Sequence, residues 1–179
     1  MQTRGYFGIG AESISKPMNF GNLSRTAYGF GAAFVFTVAA AERVADPSSD
    51  TGASYDNMPW YAFEDVDTFT LPDGCSLVGV ELTDDAVALP SFRHPRRAAY
   101  VLGPEGGSLS PAMLARADHV VQIPTRFCLN VATAGAVVMY DRLLTVGRFA
   151  ERPVKAGGPS AALPPHVQGR KFRSRDRDR

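Results

Sequence analysis

Short apolar runs bounded by glycine, proline and aspartate recur along the chain, and strand-like and helix-like spacings alternate among them. Arg4 to Ile9 mixes aromatic and β-branched residues between glycines and reads as a first strand. Lys16-Pro17-Met18-Asn19 breaks that pattern, and Gly21 to Phe30 then sets Leu23, Ala27 and Phe30 at helical spacing. Ala33 to Val38 is apolar almost throughout, as expected of a strand covered on both faces. Ala45 to Asn57, rich in Asp, Ser and Gly, reads as a loop. Further strands are predicted at Ser76 to Glu81, Ala98 to Leu102 and Val120 to Ile123. Ser110-Pro111 opens a helix through Arg116, with Ser as cap and Pro in the first turn. Leu129 to Val146 is the longest helical candidate, and its small residues (Ala132, Ala134, Gly135, Ala136) suit close packing against a ligand loop or a second subunit. Strands alternating with helices predict an α/β fold on an open, mainly parallel sheet flanked by helices.

A length of 179 residues suits one compact domain. Residues 1–150 are expected to form it, and 151–179 to be a flexible, Pro/Gly/Arg-rich tail with too few apolar residues for a core. No run approaches the roughly 20 apolar residues that cross a bilayer. The N-terminus lacks the pattern of a secretory leader. Cys75 and Cys128 stand alone, without CxxC or a His cluster, so neither disulfides nor a metal site is expected. A reducing, cytoplasmic location follows as the expectation. Charge changes the picture more: Arg152 to Arg179 carries eight Lys/Arg against two Asp, a net +6, while the rest has eleven against sixteen, a net −5. A basic tail on a mildly acidic body points to a polyanion partner, or to a solubilising end.

Three segments carry candidate chemistry. In Asn19-Phe20-Gly21-Asn22-Leu23-Ser24-Arg25, polar residues and an Arg stand where a loop enters a helix, a place that attracts anions. In Gly103-Pro104-Glu105-Gly106-Gly107, a strand runs into a Gly-rich turn, putting a carboxylate at the sheet edge where ligands of open α/β folds bind. In Ile123-Pro124-Thr125-Arg126-Phe127-Cys128-Leu129-Asn130-Val131, a strand ends in Pro and an Asn heads a helix. Each alone has a plain structural reading: a capped surface helix, a tight turn, and a capped core helix.

Together, in this order and spacing, they resemble the motifs of the SpoU/TrmH-type RNA 2′-O-methyltransferases of the SPOUT superfamily over roughly Arg4 to Arg148. The resemblance implies a deep C-terminal trefoil knot in the α/β sheet, a homodimer, and S-adenosylmethionine as cofactor, with no metal required. It assigns Arg25, Asn19, Glu105 and Asn130 to the catalytic site. Arg25 would polarise the ribose hydroxyl, Asn19 would position it, and Glu105 and Asn130 would shape the site. Cofactor contacts fall on Leu102, Gly103, Glu105, Gly107, Ile123, Pro124, Cys128 and Leu129. Cys128 and Ala132 stand where relatives usually carry Ser, which weakens an expected phosphate contact.

The partner implied is RNA, with tRNA the first expectation and rRNA the second. Two other readings remain open from the sequence: an RNA-binding module without catalysis, and methyl transfer to a base. Tyr55, Trp60 and Tyr61 are candidates to stack on an unpaired base, core packing being the alternative. Phe92 to Arg97, with His94, reads as a basic patch facing either RNA or solvent near the cofactor edge.

Overall fold

The computed structural model describes residues 5–45, 58–147, 149 and 156–157. Within them the elements run β1 (Tyr6–Glu12), α1 (Pro17–Phe30), β2 (Phe34–Val38), β3 (Trp60–Phe63), β4 (Ser76–Val80), β5 (Val87–Ala88), β6 (Arg97–Leu102), α2 (Pro111–Arg116), β7 (His119–Gln122) and α3 (Val131–Val146). Seven strands form one sheet in the order β3-β2-β1-β6-β4-β7-β5. Every pairing is parallel. The expected α/β class is therefore found, with the sheet wholly parallel among the described residues. Most of the loop predicted at Ala45–Asn57, and all of the predicted tail but residues 156–157, lie outside those residues.

Two boundaries move for a physical reason. The first strand runs on to Glu12, three residues beyond Ile9, because Gly10 to Glu12 pair with both neighbours or with β2. The first helix starts at Pro17, not after it: proline lacks the N–H that a first-turn residue leaves unbonded anyway, so it opens the helix. The helix closes on Gly31, whose left-handed φ of 77° lets its N–H reach back to Ala27 and Tyr28. Strands β3 and β5, short and at the two edges, carry too little pattern to be predicted.

Each face of the sheet has its own core. On one, Ile9, Leu23, Ala27, Tyr100, Val138 and Met139 pack with α1 and α3. On the other, Phe34, Phe36, Phe69, Val101 and Met113 pack with α2 and the segment after β3. Gly8 and Gly10 make the second face possible, since a Cβ at either would overlap the Phe34 or Phe36 ring. Gly135 does the same on the first face, where a Cβ would overlap the end of Leu23. The small residues of α3 thus include one spent on α1 of the same chain.

The order departs from chain order where β6 enters between β1 and β4, and β7 between β4 and β5. The last helix then packs on the first. This arrangement fits the threading that the family resemblance implies.

Of the basic patch predicted around His94, Arg93, Arg96 and Arg97 are exposed as expected, but His94 itself is buried. His94 is 5% exposed and Arg142 of α3 also 5%, so neither is a solvated charge. Nδ1 of His94 lies 2.6 Å from the Tyr100 hydroxyl and Nε2 2.9 Å from the Asp141 carboxylate. Arg142 donates to the Pro95, Arg96 and Tyr6 carbonyls and to the Tyr100 oxygen. His94 precedes β6, whereas the Gly-rich turn follows it, so this network sits at the opposite end of the strand from that turn. It pins the C-terminal half of α3 to the strand entrances. Trp60, a stacking candidate, instead packs against Phe20 at 5.3 Å and donates to the Thr37 hydroxyl. Tyr61 is 52% exposed, on the aromatic side of β3, and Tyr55 falls outside the described residues.

Candidate active site

Parallel strands all end on the same side, so the loops after β1, β4, β6 and β7 meet at one edge of the sheet. Three carboxylates fix the Gly-rich loop after β6 there. Glu12, the last residue of β1 and 3% exposed, accepts the Ser110 N–H at 2.8 Å. Glu81, just past β4, accepts the Leu109 N–H at 2.7 Å and the Leu82 N–H at 2.8 Å. Glu105, inside the loop, reaches the start of α1. One oxygen accepts the Ser15 N–H and hydroxyl, both at 3.1 Å. The other accepts the Lys16 N–H at 2.9 Å and the Asn19 amide at 3.1 Å. Partial burial works to raise the Glu105 carboxyl, but hydrogen bonds from its own backbone, Ser15, Asn19 and Lys16 outweigh it and hold it below the ordinary range.

Asn19 carries the connection onward, its side-chain oxygen accepting from Asn130 Nδ2 at 3.0 Å. Asn130 is at the same time the cap of α3, its Oδ1 taking the Ala132 N–H at 2.9 Å and the Thr133 N–H at 3.4 Å. The three segments singled out in the sequence are thus joined side chain to side chain, Glu105 to Asn19 to Asn130. Its two amide ends face different ways, so Asn130 caps α3 and meets Asn19 at the same time.

A cleft of about 370 Å³ opens between these loops. Leu102, Gly103, Glu105, Gly107, Ile123, Cys128 and Leu129 line it, as do Asn19 and Asn130. Pro124 does not, and is exposed. Neither does Arg25: it lies exposed on α1 and makes no hydrogen bond or ion pair to the described residues. Val80, Glu81, Leu82 and Lys16 also line the cleft, and Glu12 stands behind it, none of them singled out by sequence reasoning. The one available signal was positional, since Glu12 and Glu81 stand where parallel strands end.

The lining suits a ligand with an apolar, planar part and polar edges. Val80, Leu102, Ile123 and Leu129 give an apolar wall, while the Gly103–Gly107 backbone and the two asparagines give donors and acceptors. At Gly103 a Cβ would press on the backbone of Ser108 and Leu109, at 3.2 and 3.1 Å. At Gly106 nothing lies within 4 Å of the Cβ position, which leaves the backbone open to close approach.

Residues 7–140 match the sequence profile of the SpoU rRNA Methylase family. A tRNA (guanosine(18)-2′-O)-methyltransferase, TARBP1 of Mus musculus, is 29% identical over 142 residues, 73% of this chain and 9% of that protein. Among solved structures, the SpoU methyltransferase AviRb of Streptomyces viridochromogenes in complex with AdoMet superposes with a TM-score of 0.67 at 22% identity, covering 79% of this chain and 58% of that one. A structure described as giving insights into 2-OH methylation of C/U34 on tRNA superposes at 0.71 and 21% identity, covering 81% and 99%. This chain therefore spans little more than half of AviRb and under a tenth of TARBP1.

Proposed function

The chain belongs to the SpoU rRNA methylase family, and from that premise we propose that it transfers a methyl group from S-adenosylmethionine to a ribose 2′-hydroxyl of RNA. The observation that carries this reading is the Glu105–Asn19–Asn130 connection, which draws three separate motifs around one cleft. The cleft fits the cofactor in size and in its mix of apolar wall and exposed backbone edge. When bound, S-adenosylmethionine supplies an electrophilic methyl group on a sulfonium, so no metal is needed.

The chain's own residues bind, orient and polarise. Leu102, Ile123 and Leu129 hold the apolar part of the cofactor, with the Gly103–Gly107 backbone along its polar edge. Glu105 is a positioning residue, since both its oxygens are taken up in holding the loop to α1. It cannot double as a proton acceptor without releasing that loop. Asn19 and Asn130 face the reacting hydroxyl from their shared hydrogen bond. Arg25 polarises it as a donor, since its guanidinium already holds its proton and takes no other, and the hydroxyl proton passes to solvent.

Arg25 stands outside its own chain's cleft, and this fits a homodimer in which each subunit's α1 serves its neighbour. The exposed stripe Val137, Tyr140 and Leu144 on α3 offers the apolar contact for such a pairing. The basic residues of 151–179 add phosphate contacts. The substrate is a tRNA, as in two of the similar proteins. The free thiols Cys75 and Cys128 suit the reducing cytoplasm.

The test begins with calorimetric titration of S-adenosylmethionine and S-adenosylhomocysteine, followed by transfer to bulk tRNA and to rRNA, with nuclease digestion and mass spectrometry of the product. A 2′-O-methyl nucleoside from tRNA supports the reading. Methylated bases, or RNA binding without transfer, would replace it. Arg25→Ala is expected to abolish transfer with cofactor affinity held within several-fold; lost cofactor binding would show that Arg25 has another job.

A further inference from the structure

Of the three most exposed large apolar side chains among the described residues, one lines the cleft and the other two stand next in sequence to residues that line it. Phe127 is 83% exposed, Met18 73% and Leu82 57%. Leu82 lines the cleft after β4, Met18 adjoins the lining residue Asn19 at the start of α1, and Phe127 adjoins the lining residue Cys128 before α3. Phe127 is not merely loose on its loop. The Thr125 hydroxyl donates to the Phe127 carbonyl at 2.8 Å, and the Thr125 N–H to the Ile123 carbonyl at 2.8 Å. Those two bonds tie the loop backbone on either side of Thr125, and the ring lies exposed beside it.

Charge decides what such a rim would accept. The cleft carboxylates Glu81 and Glu105, and Glu12 behind them, are engaged by backbone N–H groups, as described above. Lys16 and Arg126 remain exposed at the rim beside Met18 and Phe127. On the far side, beyond Leu82, Asp84 and Asp85 are exposed. An apolar ring flanked by cations on one side only suits a planar base whose phosphates run along the Lys16–Arg126 side. A nucleotide whose ribose enters this cleft holds its base one glycosidic bond away, at the mouth.

We propose that Phe127 is the stacking platform for an unpaired base of the RNA, at or beside the methylated nucleotide, with Arg126 on the adjoining phosphate. This rests on the methyltransfer reading and adds to it a residue that selects nucleotides free to leave the helix. Base–aromatic stacking makes such a contact sequence-tolerant and strong.

The experiment compares the full chain with its Phe127→Ala and Phe127→Trp variants. Hairpin RNAs carrying 2-aminopurine at successive loop positions report stacking as fluorescence quenching, with no turnover required. Calorimetry gives cofactor affinity, and sedimentation gives the oligomeric state. Phe127→Ala is expected to lose the quench and raise the KM for tRNA about tenfold or more. Cofactor affinity and oligomeric state stay unchanged, and Phe127→Trp restores the quench. An unaltered KM and quench in Phe127→Ala overturns the proposal. So does a change of oligomeric state with quenching lost, which would make the ring a subunit contact. Quenching that depends on Phe127 in a protein that transfers no methyl group would leave the stacking site standing and remove the enzymatic reading.

Discussion

Glu105 accepts four hydrogen bonds, so its amide counterpart has to put an NH₂ where a backbone or hydroxyl donor now points. Glu105→Gln is expected to destabilise the fold by about 1–3 kcal/mol. It should also weaken S-adenosylmethionine by about tenfold or more, read by thermal melting and calorimetry. Gly135→Ala tests the α1–α3 contact, because its Cβ would overlap Leu23 and press on Ile9 at 3.4 Å. A loss of about 1–3 kcal/mol in denaturant titration is expected. At this scale the sequence was legible where a residue's local role and its site role coincide. Asn130 reads as a cap from its place before an Ala-rich helix, and the cap is what aims its other end at Asn19. Glu12 and Glu81 were not legible, since a carboxylate after an apolar run looks like an ordinary turn into solvent. Their N–H partners lie 98 and 28 residues away.

The helix α3 is held at both ends by polar groups, and two of those at its C-terminal half answer oppositely to pH. At its C-terminal half, burial pushes His94 below its ordinary value despite the Asp141 carboxylate beside it. The arrangement that satisfies every group is a neutral imidazole accepting from Tyr100 and donating to Asp141. In the unfolded chain the imidazole takes its proton at higher pH than in the folded one. Stability therefore falls as pH drops below the ordinary value of about 6.5, and the melting curve of His94→Gln should lack that slope. Tyr100 works the other way. Burial, only partly offset by Arg142, pushes its hydroxyl up to about 12. The folded form keeps that proton longer, so stability should decline as pH rises above about 10, and Tyr100→Phe should not share the decline. Arg142→Leu strands three carbonyls and is expected to cost about 3 kcal/mol or more. None of this could be read from Phe92 to Arg97 as a string, because His94 among three arginines looks solvated until α3 is laid over it. The edge strands β3 and β5 were lost for the opposite reason, too few residues to show a period.

For the whole molecule, the alternation of strands and helices was enough to give the class and the parallel sheet. The insertion of β6 and β7 was not, because it rests on pairings such as Ile9 with Tyr100 that no local pattern announces. Electrostatics at this scale is testable through the tail. Deleting residues 153–179 removes seven of the nineteen Lys/Arg and should flatten the salt dependence of RNA binding while leaving the melting temperature of the body unchanged. An unchanged slope would return those charges to solubility alone. The hydrogen bonds around the cleft also set a timetable. Glu105 lies 86 residues after Asn19, and Asn130 lies 111 after it. During synthesis the ribosome therefore exposes the first helix long before either of its clamps has emerged. Until α3 is out of the exit tunnel there is no cleft, and a nascent or truncated chain has nowhere to bind the cofactor. Cofactor at about a hundredfold over its Kd would then add about 2.7 kcal/mol only to chains whose α3 has emerged.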